Sequence, residues 1–175
     1  NGATWDSISR VGGTLDVIAI SRSNPAVMYA ASQQKIYKST NRGYNWTNIT
    51  NGLPGLYTEN IDVHPDSSEV VVLCMSSPSN KVYKSTNGGN NWINISGNLP
   101  SSYANDVIFY YPGFATNSII VALDAGVFLT NNNGANWDEL SQGLPNTICM
   151  DLDYNQNANR LRIGTHGRGV WEISG

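Results

Sequence analysis

Apolar and polar positions along the chain change over in short bursts of four to eight residues, and no stretch carries the three-to-four spacing of a helix face. Four kinds of burst recur in a fixed order. The first follows an aspartate: DVIAI, IDVHP, DVIFYY and DLDY. The second is an apolar run, richest in β-branched residues in the middle two copies: VMYAAS, EVVVLCMS, SIIVALD and RLRIGTH. The third alternates apolar with polar: KIYKST, KVYKST, GVFLT and GVWEI. The fourth is led by tryptophan: WTNIT, WINIS and WDEL. Gly, Asn and Pro fill the intervals, so each cycle predicts four short antiparallel strands joined by tight turns.

The cycle has a strict period. Ile36–Pro54, Val82–Pro100 and Val127–Pro145 superpose, with Trp46, Trp92 and Trp137 spaced by 46 and 45 residues. Asp16, Asp62, Asp106 and Asp151 run in step at 46, 44 and 45, and the interval from Asp to the next Trp is 30, 30 and 31. Four strands per such period is the signature of a β-propeller blade. The reading is therefore an all-β chain of about four blades, a single propeller segment over 1–175. Residues 1–10 supply an outer strand, 11–50, 51–97 and 98–142 are blades, and 143–175 give three strands of a last blade. The start falls inside a repeat, with Gly2 three residues before Trp5. That favours the C-terminal part of a larger ring, whose last blade is closed by an N-terminal strand outside these residues, over a closed four-bladed ring.

The turn before each tryptophan has a physical logic. Ser39-x-Asn41-x-Gly43-x-x-Trp46 recurs as Ser85-x-Asn87-x-Gly89-x-x-Trp92 and as Thr130-x-Asn132-x-Gly134-x-x-Trp137. An Asn side chain bonds back to backbone amides and closes the turn, and Gly supplies a positive φ. The Trp is expected to fold into its blade. These residues resemble the Asp-box, or bacterial neuraminidase repeat, with Asn in place of Asp in every copy. The resemblance covers essentially the whole chain, including the closing GTHGRGVWEI. It implies kinship with the propellers of sialidases, xyloglucan-type endoglucanases, sortilin-like receptors and photosystem assembly factors. It speaks for fold far more than for function.

Composition narrows the function classes. Charged residues make up 13% and Asn occurs 23 times, a surface made soluble by amides and hydroxyls. That style, with the resemblance, points to a secreted or cell-surface bacterial protein. The net charge of -3 and the dispersal of ten Lys and Arg argue against nucleic acid. No apolar run approaches a membrane span. Cys74 and Cys149 each sit in an apolar run and read as buried free thiols, and two His residues give no basis for a zinc centre. No cofactor is implied. The sequons at Asn45, Asn48 and Asn94 are read as coincidence in an Asn-rich chain.

In a propeller, ligands meet the loops that enter the inner strands and the turns between second and third strands. Here these are 10–14, 55–60, 101–105 and Asn146, with 33–34, 77–80, 124–126 and 166–169. A catalytic group need occur only once, so the repeated aspartates read as architecture, each bonding a loop or a neighbouring blade, rather than as a cation-holding ring. The unrepeated residues carry the candidates: Tyr57, Tyr103, His166 and Arg168 for ligand binding, with Glu59 and Asp124 as nominal acid and base. Arg10, Arg22, Arg160, Arg162 and Arg168 form no legible sialidase arginine motif, and Arg160 and Arg162 read as solvent-facing. His166 and Arg168 lie in a tight turn, so a structural part is favoured for these, while His64, before Pro65 at a strand end, reads as incidental. The favoured function is a non-catalytic module binding glycan or protein through one loop face. The alternatives are a fragment of a glycoside hydrolase and a purely architectural propeller.

Overall fold

The computed structural model describes residues 4, 7–8, 11, 14–111 and 118–174, and among these fifteen strands form four antiparallel sheets with no helix. The first sheet contains β1 (Val17–Ile20), β2 (Met28–Ser32), β3 (Lys35–Ser39) and β4 (Thr47–Asn48). The second contains β5 (Thr58–Val63), β6 (Val71–Met75), β7 (Val82–Ser85) and β8 (Ile93–Asn94). The third contains β9 (Ala104–Tyr110), β10 (Ser118–Leu123), β11 (Gly126–Thr130) and β12 (Asp138–Glu139), and the fourth β13 (Cys149–Asn155), β14 (Arg160–Thr165) and β15 (Gly169–Ser174). Strands follow chain order in every sheet. The outer strand anticipated over 1–10, with Gly2 and Trp5, lies mostly outside the described residues.

Three cores hold the sheets together, each between consecutive blades. Tyr29, Ala31 and Ile36 meet Ile61, Val63 and Leu73 across the first junction. Val72, Cys74 and Val82 meet Val107, Phe109 and Val121 across the second. Ile120, Ala122 and Val127 meet Cys149, Leu152 and Ile163 across the third. A second strand is thus covered on both faces, and β2, β6 and β10 are buried at every position. That is why their sequences are continuous apolar runs rather than alternations. The inner strands pack in sequence, β1 on β5, β5 on β9 and β9 on β13, with no comparable packing of β13 on β1 among the described residues. Ile18 and Ile20 of β1 are 54% and 55% exposed, whereas Ile61 and Val63, their counterparts in β5, are buried. The four blades therefore form an open arc.

Each of the last three inner strands begins with a β-bulge that leaves one residue unpaired: Glu59, Asn105 and Met150. The bulges show that the four phased aspartates are not one structural position. Asp106 and Asp151 directly follow their bulges, as Asn60 does. Asp62 lies two residues further along, where the next blade has Ile108. Asp16 precedes β1 altogether. The even spacing in sequence conceals a two-residue shift along the strand.

Candidate functional site

The repeated turns work between blades. Ser39 Oγ accepts from Gly43 N at 2.9 Å and donates to Asn41 Oδ1, which accepts from Asn45 N at 2.8 Å. The same bonds recur around Ser85 and Asn87, and around Thr130 and Asn132. Gly43, Gly89 and Gly134 have φ of 84, 88 and 79°, and a Cβ on Gly89 or Gly134 would strike Ile49 or Ile95 of the preceding blade. The indole lies against that same residue: Trp92 Nε1 donates to Ile49 O at 2.9 Å, and Trp137 Nε1 to Ile95 O at 2.8 Å. So the Trp leaves its own blade to pack on the one before, contrary to the sequence expectation. The outer strands start only after it. Trp46, on the first blade, is only half-buried.

Antiparallel order puts these turns at one end of the blades and the loops entering the inner strands at the other. At that second end, Tyr57 O accepts from Ser76 N, Tyr103 O from Asp124 N and Ile148 O from His166 N, at 2.9, 3.1 and 2.9 Å. The three loops are thus clamped alike, each to the turn between second and third strands of its own blade. Tyr57 and Tyr103 stand at matching positions with 56% and 49% of their surfaces exposed. Glu59 is the exposed bulge residue beside Tyr57. Asp124 is half-buried and accepts from Asn105 Nδ2 at 2.9 Å, and the same amide nitrogen donates to Cys149 O of the last blade. Glu59 and Asp124 share this end of adjacent blades, but no hydrogen bond joins them among the described residues. His166 and Arg168 are exposed in the β14–β15 turn, where Arg168 O accepts from Trp171 Nε1 at 3.0 Å and Gly167 and Gly169 take positive φ. Of the loop at 10–14, Arg10 and its two glycines lie outside the described residues.

The perturbed carboxylates are elsewhere. Asp106 is buried, and its oxygens accept from Val107 N, from Leu152 N of the next blade and from the Asn60 amide of the previous one. Burial lifts its pKa to about 6 despite these bonds. Asp62, also raised by burial, accepts from Val63 N and from Phe109 N of the next blade. A raised carboxylate often marks catalysis. Here every oxygen is engaged by amides, so the groups tie inner strands together. Asp16 instead accepts from Gln33 N within its own blade, and Asp151 is exposed.

Two residues escaped the sequence reading. His64 is buried with its ring edge-on to Phe109 and Tyr111 at 5.2 Å each, so it belongs to the second junction rather than to a loose strand end. Lys81 is buried with Nζ donating to Pro100 O at 2.5 Å, and burial lowers its pKa. Arg160 and Arg162 are exposed and paired with Glu172, and Arg162 also approaches Asp153. Cys74 and Cys149 are free and buried, with their thiol pKa values pushed up by burial.

No protein-family model matches the chain, and no curated protein matches it in sequence. Solved structures do resemble it. An ancestral GH74 enzyme superposes on 92% of the chain with a TM-score of 0.70 at 23% identity, the chain covering 23% of that protein. The GH74 xyloglucanase of Xanthomonas campestris matches 91% of the chain at 0.67 and 14% identity, over 29% of its own length. YCF48 from Cyanidioschyzon merolae matches 99% at 0.64 and 15% identity, over 60% of its length. The chain thus spans about a quarter of the GH74 enzymes it resembles. At these identities the likeness concerns the fold, and the chain has the architecture of part of a β-propeller.

Proposed function

We propose that this chain is part of a non-catalytic β-propeller of the Asp-box type, from a secreted or cell-surface bacterial protein, that binds glycan through the face where the inner strands begin. The observation that carries the reading is the pair Tyr57 and Tyr103, two exposed tyrosines whose backbones are clamped at matching positions on neighbouring blades. Flat aromatic faces stack on sugar rings, and the flanking Glu59, Asn80 and Asp124 supply hydrogen-bond partners for hydroxyls. His166 and Arg168 extend the same face. The test is a glycan array followed by affinity electrophoresis. Tyr57→Ala and Tyr103→Ala should each weaken retention by about tenfold without changing the melting temperature. Undiminished retention in both variants defeats the proposal.

Likeness to GH74 enzymes favours a second reading, a fragment of a glycoside hydrolase. Under it, Glu59→Gln or Asp124→Asn abolishes hydrolysis of a β-glucan, whereas the binding reading expects no hydrolysis to abolish.

A further inference from the structure

We infer that the groove between the third and fourth blades is a receptor for a tryptophan-led β-strand supplied by polypeptide outside residues 1–175. The molecule contains its own template for this contact. Ile49 and Ile95 each follow a Trp by three residues, and their backbone nitrogens donate to Ile36 O and Val82 O at 2.9 Å. Both then offer their carbonyl to the indole of the next blade and are buried beneath it. Leu140 stands at the same place on the third blade: it follows Trp137 by three residues and its nitrogen donates to Val127 O at 2.8 Å. Yet Leu140 is only half-buried, and no donor meets its carbonyl oxygen among the described residues.

Beside Leu140 opens a cavity of about 150 Å³ whose apolar lining comes from Leu140, Leu144, Ile163, Trp171 and Ile173. Trp171 and Ile173 are 39% and 38% exposed there. The strand bordering this groove, β15, has no outer partner among the described residues, whereas β3, β7 and β11 each hold a two-residue outer strand. An incoming strand would therefore gain backbone bonds along β15 while its indole enters the groove and donates to Leu140 O. Of the chain's own early segment, Ile8 is 52% exposed and stands at the first blade. Ile8 lies within 4 Å of the Gly43 Cβ position on the first blade, the counterpart of Ile49 at Gly89 and Ile95 at Gly134. β13 makes no comparable packing on β1 among the described residues, so Ile8 and Leu140 stand at opposite ends of the arc.

The test uses the full chain and a labelled peptide of residues 85–97, which carries one such strand, read by fluorescence anisotropy. Saturable binding is expected, with a loss of more than about tenfold when the peptide carries Trp92→Ala, a change that leaves the chain untouched. Leu140→Asp should abolish binding and Ile18→Asp, at the other end of the arc, should leave it intact. Absence of saturable binding overturns the inference, as does equal binding of the Trp92→Ala peptide or loss with Ile18→Asp. Binding seen only after Trp5→Ala also overturns it, because the chain's own segment would then fill the groove.

Discussion

Asn stands in all three turns where the motif they resemble has Asp, and the hydrogen bonds explain why either residue would serve. The Asn87 side chain works through its oxygen: Oδ1 accepts from Asn91 N at 2.9 Å and from Ser85 Oγ at 3.0 Å. A carboxylate offers the same acceptor, so Asn87→Asp should change stability by no more than about 0.5 kcal/mol. Asn87→Ala removes it. Asn91 N lies at the surface and is rehydrated, at a cost of about 0.5–1 kcal/mol, but the buried Ser85 hydroxyl loses its acceptor and adds about 1 kcal/mol or more. The sum is about 2 kcal/mol, or roughly 4–8 °C in melting temperature for a chain of this size. Urea titrations followed by tryptophan fluorescence at neutral pH measure both variants. If Asn87→Asp proves as damaging as Asn87→Ala, the amide nitrogen is essential and the acceptor argument fails.

Two further outcomes follow from the junctions. Trp137→Ala removes a ring that is 3% exposed and should cost about 3–5 kcal/mol in urea titration, with Trp46→Ala costing about half as much because that ring is only half-buried. Equal costs would refute the inter-blade account. Asp106 is raised from 3.8 to about 6, so the folded state holds its proton more tightly than the unfolded chain. Its protonated form stabilises fully below pH 3.8, and that contribution declines as pH rises to about 6, by on the order of 3 kcal/mol. The difference in unfolding free energy between wild type and Asp106→Asn should therefore slope across this window, and a flat difference refutes the assignment.

The fold was legible because the devices that build it repeat. Buried second strands declare themselves as β-branched runs, and box turns need Gly at a positive φ and an acceptor two residues after Ser or Thr. What lies between blades was not. Nothing local distinguishes Lys35 in KIYKS from Lys81 in KVYKS, yet the first is exposed and the second buried beneath Pro100. The phase of the aspartates looked regular while Asp62 had moved to the place of an isoleucine, because both positions reach an amide of the next inner strand. The face where the inner strands begin was legible as a set of loops. That Tyr57 and Tyr103 hold matching positions depends on clamps from Ser76 and Asp124, which alternation along the chain does not reveal.

The bulges at Glu59, Asn105 and Met150 also bear on how such a surface diversifies. A bulge residue has no partner across the ladder, so its side chain is not fixed by the register of the sheet. In one molecule the position already holds an acid, an amide and a thioether, while the flanking strands remain alike. Glu59 and Met150 turn this freedom outward to solvent, whereas Asn105 spends it on Asp124 and on the Cys149 carbonyl of the next blade, so one position serves the rim in two blades and the junction in another.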